Sequence, residues 1–333
     1  MVMSQPPPIL PIRIAGTAHT APGEAVSTAE LVTRLSPAPD AAHIVSRTGI
    51  ASRHFAPSGP DTATTLAVET LLSALDDAGM KPDALRRIIY VSTVGGDVLT
   101  PANANQVAGR LGLAGTCDCM DLSNACMGFL TALDVAARSV ATGLGPVGIV
   151  VVELGSRCIT PDDPRPYLVF GDAAVAAVVD RGRAGEGVLA SWIRNDAPAG
   201  GDVHMTHPLV SGQHERIRFT ATNRRMGSDA VRYICDAVDA VLGETGLALA
   251  DIEWVLPHQP NGALLDAILE RLAVPAERVV RMVHDVGSVG AASIPVSLHR
   301  LRRSGRVRPG DHILLTGVGT GISYGAILLR EGE

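Results

Sequence analysis

A cysteine, a histidine and a glycine-rich segment are the residues of this chain best placed for nucleophilic chemistry. Cys126 follows the small, polar segment 121–125 and precedes an apolar-periodic run from Leu130 to Val140 that predicts a helix. A helix N-terminus presents unpaired N–H groups and a partial positive charge, and both favour the thiolate, which is the nucleophilic form. Cys126 is therefore the candidate nucleophile, and the alternative is a small, buried, apolar cysteine.

His258 and the segment Gly317–Gly325 could complete such a site. His258 lies between a strand predicted at Trp254–Leu256 and a helix predicted at Asn261–Leu272. It could serve as a general base and acid, or it could be a loop histidine with a satisfied hydrogen bond. Alternate glycines in the segment let the backbone approach a ligand and could form an oxyanion hole with the N–H of Cys126, or they make a tight turn between two strands. Chemistry through a thioester needs these three parts.

Composition and charge exclude several functional classes. The net charge of −6 argues against nucleic-acid binding, which depends on neutralising phosphates. No apolar run approaches the roughly 20 residues of a membrane helix, and Met1–Pro11, with four prolines and no basic region, is unlike a signal peptide. The five cysteines form no disulfide framework, so we expect a cytoplasmic protein.

No metal site is expected from the histidines and cysteines. Cys117 and Cys119 form a C-x-C pair with no second pair or histidine nearby, and the spacing of His204, His207 and His214 fits no ligand pattern. The loop 195–216, which carries these histidines, is expected to shape the entrance for an acceptor substrate.

Alternating strands and helices predict a parallel α/β architecture in two similar halves, 1–180 and 181–333. Each half has a long helix, predicted at Asp61–Ala78 with Asp61 as its N-cap and at Ser228–Leu242. A strand follows each of these helices, and a reactive residue then stands at the mouth of a further helix. This repetition indicates an internal duplication, and we expect the halves to pack as one body.

Six short motifs occur in a characteristic order: Arg47–Ile50, Asn124–Cys126, Phe170–Asp172, Pro257–Gln259, Gly290–Pro295 and the terminal glycine loop. Together they resemble the ketoacyl-acyl carrier protein synthase III family of the thiolase superfamily over nearly the whole chain. The resemblance implies a five-layered αβαβα thiolase fold built from two duplicated halves, a homodimer, and no cofactor beyond the thioester substrates.

The resemblance also implies roles for individual residues. Cys126 would accept an acyl group from CoA or an acyl carrier protein, and His258 would activate the second substrate. The backbone N–H groups of Cys126 and Thr320 would form the oxyanion hole, although relatives usually have glycine at the Thr320 position. Phe170 would line the substrate pocket.

The clearest departure from the family pattern is Ser288. Relatives that decarboxylate a malonyl thioester carry an asparagine here, and a serine hydroxyl offers one donor in place of the two of an amide. Losing such a donor typically costs on the order of 100-fold in rate. Asp285, three residues earlier, could orient His258, as a carboxylate often does for a catalytic histidine, or could be a solvated loop carboxylate.

The substrate-binding positions also depart from the family. His43 occupies the position at which family members have a tryptophan that stacks on the CoA adenine. Ile159 replaces the arginine on the opposite side of the adenine. Both replacements weaken the expected binding of CoA and so favour a carrier-protein donor. Thr100 falls where a phenylalanine of the partner subunit closes the acyl pocket, which implies a roomier pocket. Three basic residues lie on or before the helix that docks acidic carrier proteins in relatives: Arg224, Arg225 and Arg232. They could dock a carrier protein, or they could form an ordinary solvated face.

These features leave three hypotheses. The first is an acyltransferase in fatty-acid-like or natural-product biosynthesis that moves an acyl group from Cys126 to an alcohol or amine. The second is a synthase that forms a carbon–carbon bond, with Ser288 or water replacing the missing amide. The third is a partner subunit of a heterodimeric synthase, which is disfavoured because such subunits tend to lose the cysteine or the histidine.

Overall fold

The computed structural model describes residues 9–59 and 62–332. The strands and helices of the first half are β1 (Ile12–Thr20), β2 (Ala25–Ser27), α1 (Thr28–Val32), α2 (Ala41–Thr48), β3 (Ser52–His54), α3 (Thr62–Asp77), β4 (Arg87–Val91), α4 (Asn103–Arg110), β5 (Asp118–Leu122), α5 (Gly128–Ala141), β6 (Val147–Leu154), α6 (Pro164–Tyr167) and β7 (Asp172–Arg181). The predicted first long helix is α3, and its predicted cap, Asp61, lies outside the described residues.

The second half follows without a long linker. Its elements are β8 (Gly187–Asn195), β9 (Val203–His204), α7 (Pro208–Ser211), β10 (Arg218–Phe219), α8 (Asn223–Thr245), β11 (Trp254–Pro257), α9 (Gly262–Leu272), α10 (Val283–Val286), α11 (Ser293–Arg303), β12 (His312–Gly319) and β13 (Ser323–Arg330). The second predicted long helix is α8, which begins five residues before Ser228 at Asn223 because Thr222 caps it.

Two mixed sheets form the framework. The first has the strand order β1-β7-β6-β4-β5 and the second the order β11-β12-β13-β8. Parallel pairing is confined to β4 with β5 and β6, and to β11 with β12. The prediction of parallel sheets was therefore wrong for β7 and β13, which each run antiparallel to both of their neighbours.

The buried side chains divide the molecule into five layers. Helices α3 and α4 cover one face of the first sheet, where Leu71 packs in a cluster with Ile88. Helices α5 and α11 lie between the sheets, in a core that includes Leu133 and Leu298. Helices α8 and α9 cover the outer face of the second sheet. The predicted αβαβα arrangement is confirmed.

Within the described ranges, no helix is long and apolar enough to cross a membrane.

Candidate active site

The turn that carries Cys126 is held in a constrained conformation between β5 and α5. Residues Ala125–Met127 form one 3₁₀ turn that leads directly into α5 at Gly128, so Cys126 does lie at a helix N-terminus. Ala125 has a φ of 44°, a left-handed value that is uncommon for a residue with a Cβ. The neighbouring Asn124 amide donates to the Thr131 hydroxyl at 2.9 Å and accepts from the Ser323 hydroxyl at 2.8 Å. These bonds fix the turn from both halves of the chain.

The glycine-rich segment is a β-hairpin that packs on this turn. Strands β12 and β13 pair up to Gly319 and Ser323, which leaves Thr320, Gly321 and Ile322 as the connection. A Cβ on Gly319 would lie 3.1 Å from the backbone nitrogen of Cys126, and one on Gly317 would lie 3.1 Å from the Met127 sulfur. The segment is therefore a turn between strands that also gives the backbone its close approach to the nucleophile.

His258 follows β11 and is almost fully buried beside the same hairpin. Its backbone N–H donates to the Thr316 carbonyl at 2.8 Å, and a Cβ on Gly317 would lie 3.4 Å from the Cβ of His258. Burial lowers the pKa of the imidazole to about 4, so the ring is neutral at physiological pH. Its Nδ1 is buried and has no hydrogen-bond partner among the described residues.

Asp285 does not orient this histidine, so that prediction is wrong. Its carboxylate accepts two hydrogen bonds from the guanidinium of Arg300, at 2.9 and 2.7 Å. The Asp285 side chain is half exposed, and the Arg300 contact favours its charged form and lowers its pKa against the opposing effect of burial. The alternative of a solvated loop carboxylate does not hold either, because Asp285 lies in α10 and forms an ion pair with α11.

A cavity of about 350 Å³ opens onto Cys126. It is lined by residues from both halves: Thr93, Val94, Ser123, Asn124, Ala125, Cys126, Glu153, Gly155, Phe170, Gly171, Val203, His204, Met205, Ile217, Val289, Gly290, Thr320, Gly321 and Ser323. The structure thus brings Cys126, Thr320 and Phe170 to one space. His204, from the loop expected to shape the entrance, also lines it. His258 is not among the residues that line it.

The thiol of Cys126 is the resting form of the nucleophile. Desolvation in the enclosed site, aided by the nearby carboxyl of Glu153, raises the pKa of Cys126 to about 12. The helix N-terminus was expected to favour the thiolate, but burial outweighs it in the unloaded protein. A proton must therefore leave Cys126 as it attacks.

Ser288 joins the two halves beside the cavity. Its N–H donates to the Val169 carbonyl at 2.8 Å, and its carbonyl accepts from the N–H of Gly171 at 2.9 Å. These bonds pair Ser288 with Phe170 as a parallel bridge. The residue is 4% exposed, and the adjacent Val289 and Gly290 line the cavity. A longer side chain at this position, such as that of asparagine, would extend farther from the backbone than the serine hydroxyl does.

Three predicted pocket residues lie away from the cavity. Ile159 packs in an apolar cluster with Leu31 and Tyr167, so it is a core residue and not one that faces a nucleotide. His43 lies on the exposed side of α2, and Thr100 is exposed in the loop before α4. Thr100 was expected to act on the pocket of a partner subunit, and its position in the isolated chain leaves that prediction open.

Two of the three arginines proposed for carrier docking lie at the start of α8, near the cavity. Arg225 pairs with Asp202 at 3.5 Å, and Asp202 directly precedes the cavity-lining Val203. Arg224 is exposed beside it. Arg232 lies farther along the helix over the ring of Tyr233, 4.0 Å from its centroid, with Asp229 and Asp236 as ion-pair partners. We therefore expect Arg232 to contribute least to any docking.

Glu153 is the main cavity residue that the sequence reasoning missed. It stands near the end of β6, whose other residues from Val147 to Leu154 are apolar or glycine. A charged residue is rarely buried in such an apolar strand unless it has a partner that pairs with it. The single glutamate in this run was therefore the feature of the sequence that could have pointed to Glu153. No cluster of three or more histidine, cysteine or acidic side chains suited to a metal occurs in the described part of the chain.

The fold and site define the class of protein: a two-sheet thiolase-like protein with a cysteine from one half in the cavity wall and a buried histidine from the other half beside the same hairpin. Two family models match, 3-oxoacyl-[acyl-carrier-protein] synthase III over residues 120–197 and its C-terminal counterpart over residues 242–331. The β-ketoacyl-[acyl-carrier-protein] synthase III of Rhizorhabdus wittichii is 34% identical over 323 residues, which are 95% of this chain and 98% of that protein.

Solved structures agree with these matches. The 3-oxoacyl-(acyl carrier protein) synthase III FabH of Pseudomonas aeruginosa PAO1 superposes with a TM-score of 0.88 at 30% identity, over 97% of this chain and 99% of that one. The priming β-ketosynthase of the R1128 polyketide pathway gives a TM-score of 0.87 at 30% identity, over 99% and 100% of the two chains. The chain belongs to the 3-oxoacyl-[acyl-carrier-protein] synthase III family and has the thiolase fold.

Proposed function

We propose that this protein is an acyltransferase that loads an acyl group onto Cys126 and passes it to a hydroxyl or amine acceptor. The observation that supports this most is the serine at position 288. The family resemblance implies that an asparagine at this position stabilises the enolate formed by malonyl decarboxylation, and the buried Ser288 offers one hydroxyl donor in its place.

The first half-reaction follows from the cavity. The sulfur of Cys126 attacks the carbonyl carbon of a donor thioester, a new carbon–sulfur bond forms, and the bond to the donor sulfur breaks. The proton of Cys126 ends on the departing thiol. We assign the developing oxyanion to the backbone N–H groups of Cys126 and Thr320, both of which belong to the cavity wall. Neutral His258 retains the capacity to accept a proton.

Carbon–carbon bond formation is the second candidate function. The names of the relatives support it, since both the R. wittichii protein and the P. aeruginosa structure are synthases. It requires Ser288, or a water molecule beside it, to stabilise the enolate.

Acyl loading is tested by intact-protein mass spectrometry after mixing the protein with acyl-CoA and acyl-carrier-protein thioesters of increasing chain length. We expect a stable gain equal to the acyl group, and peptide mapping should place it on Cys126. If no thioester in the series adds mass, both catalytic proposals fail, and a partner-subunit role becomes the remaining hypothesis.

We propose an acyl carrier protein as the donor, docked by Arg224 and Arg225. The double change Arg224→Glu, Arg225→Glu is expected to slow loading from an acyl-carrier protein by about 10-fold or more, because docking charges govern association with an acidic partner. Loading from the same acyl-CoA should change less than twofold. Arg232→Glu is the matched control and should have a smaller effect. Equal losses with both donors would contradict carrier docking.

We also propose a homodimer formed through the edge of the first sheet. Strand β5 has β4 on one side and, within the described residues, no strand on the other, and the half-exposed Met120 and Leu122 lie on it. An unpaired edge favours pairing with another strand. Light scattering should give about twice the chain mass of 34.5 kDa. A mass of one chain at micromolar concentration would contradict the dimer.

A further inference from the structure

The cavity contains a buried carboxylate that the half-reaction above does not use. Glu153 is 3% exposed and lines the same cavity as Cys126. It belongs to β6, a central strand of the first sheet whose other side chains are all buried and uncharged. Placing a carboxyl here costs free energy unless hydrogen bonds compensate.

The hydrogen bonds of Glu153 are unequally divided between its two oxygens. Oε1 accepts from the Thr93 hydroxyl at 2.7 Å, the Thr93 N–H at 3.1 Å and the Ala291 N–H at 3.1 Å. Oε2 accepts only a share of the Thr93 N–H, at 3.1 Å, among the bonds of the described residues. The donors therefore fix the carboxyl through one oxygen and leave the other with capacity to accept a proton.

The surroundings of Glu153 bring the pKa of its carboxyl close to neutral pH. No lysine or arginine lines the cavity within the described residues, whose ionisable wall groups are Cys126, Glu153 and His204. Burial, with a smaller contribution from Asp172, raises the pKa of Glu153 to about 7, against the hydrogen bonds from Thr93 and Ala291. Tyr90 also lies within electrostatic range and is uncharged. A group that titrates near the working pH is suited to general acid–base catalysis.

His258 is less suited to this task in the resting protein. Its pKa of about 4 makes it a weak base, and it is not among the residues that line the cavity, whereas Glu153 is one of them. The acceptor must enter the space next to the acyl group on Cys126, and Glu153 belongs to the wall of the cavity that contains this space.

We infer that Glu153 is the general base that removes the proton of the acceptor as it attacks acyl-Cys126. The acceptor oxygen or nitrogen forms a bond to the acyl carbon, the carbon–sulfur bond to Cys126 breaks, and the acceptor proton passes to the Glu153 carboxylate. Glu153 then returns that proton, directly or through water, to the Cys126 thiolate, so both groups regain their resting forms. This inference rests on the proposed function, because it requires an acyl-Cys126 intermediate.

The test uses water as the acceptor, since every acyl thioester can react with it. The wild-type protein and Glu153→Gln are loaded with octanoyl-CoA, freed of excess donor, and followed by intact-protein mass spectrometry between pH 5.5 and 8.5. Both proteins are loaded until the octanoyl mass is complete, and we then expect the variant to lose the octanoyl group about 100-fold more slowly than the wild-type protein. The wild-type rate should rise through about pH 7 as Glu153 ionises, and the variant should lack this rise.

Hydroxylamine, a reactive nucleophile that needs less help from a base, is the control for an intact site. It should remove the octanoyl group from both proteins at rates within about threefold. Thr93→Val, which removes the shortest hydrogen bond to Glu153 and keeps the carboxyl, should move the rise to higher pH.

Four results would overturn the inference: wild-type decay no faster than that of octanoyl-CoA in the same buffer, similar decay of the two acyl-proteins, a variant that keeps the rise near pH 7, or hydroxylamine cleavage slowed as much as hydrolysis. The last would assign Glu153 a positioning role through Thr93 and Ala291, and so would a variant that alone fails to load. If the wild-type protein does not load either, the proposed function itself fails.

Discussion

Replacing Cys126 by alanine is expected to abolish acyl loading from every thioester donor. The cavity wall contains no other thiol among the described residues. The hairpin glycines also pack closely against the backbone of the turn that carries Cys126. Without the sulfur, no covalent intermediate can form and the donor reacts only with water. The mass of the variant should remain unchanged under conditions in which the wild-type protein is fully acylated.

Cys119→Ala is the matched control for this experiment. Cys119 is a half-exposed thiol on β5, with its sulfur 4.0 Å from that of Cys117 and its pKa raised to about 12 by burial and the neighbouring thiol. This variant should load like the wild-type protein. Full loading of Cys126→Ala would show that another residue carries the acyl group and would remove the basis of the proposed mechanism.

The change Ser288→Asn is expected to increase malonyl-thioester decarboxylation, which the proposed function predicts to be absent from the wild-type protein. The amide adds a donor and extends farther from the backbone toward the cavity bordered by Val289 and Gly290. One donor to a developing oxyanion is typically worth about 100-fold in rate, so CO2 release should rise by about that factor. CO2 from labelled malonyl-carrier thioester measures it directly.

Ser288→Ala and octanoyl loading serve as controls for this variant. The backbone bonds of Ser288 to Val169 and Gly171 do not involve its side chain, so both variants should keep the bridge between the halves. Each should load octanoyl groups at the wild-type level, which would show that the cavity is intact. If Ser288→Asn loads normally and releases no more CO2 than Ser288→Ala, the serine is not what limits decarboxylation.

Local sequence patterns were sufficient for the framework and for the two reactive residues. Ser27 accepts from the Glu30 N–H at 3.1 Å as the cap of α1, and Asn261 caps α9 in the same way. Cys126 and His258 are where strand, turn and helix signals placed them, at the ends of β5 and β11. These features depend on residues adjacent in the chain, so a single sequence contains them.

The predictions that failed depend on contacts between distant segments. Asp285 has its partner, Arg300, fifteen residues on and on another helix. Ile159 is buried by side chains from α1 and α6. The pKa of Cys126 is set by enclosure that only the folded molecule provides. Helix α2 was not predicted because it has no buried residue and is held by its Asp40 cap and the glycine that ends it, Gly49.

The direct test of the acyl-transfer proposal starts from the wild-type protein that carries octanoyl-Cys126. A labelled malonyl-carrier thioester is added, and the release of CO2 from its malonyl group is measured. We expect no CO2 above the level of the Cys126→Ala protein and no 3-oxoacyl product, while the octanoyl group leaves Cys126 only by hydrolysis until a hydroxyl or amine acceptor is added. Release of CO2 in step with loss of the octanoyl mass and appearance of the 3-oxoacyl thioester would contradict the proposal and identify the protein as a condensing enzyme.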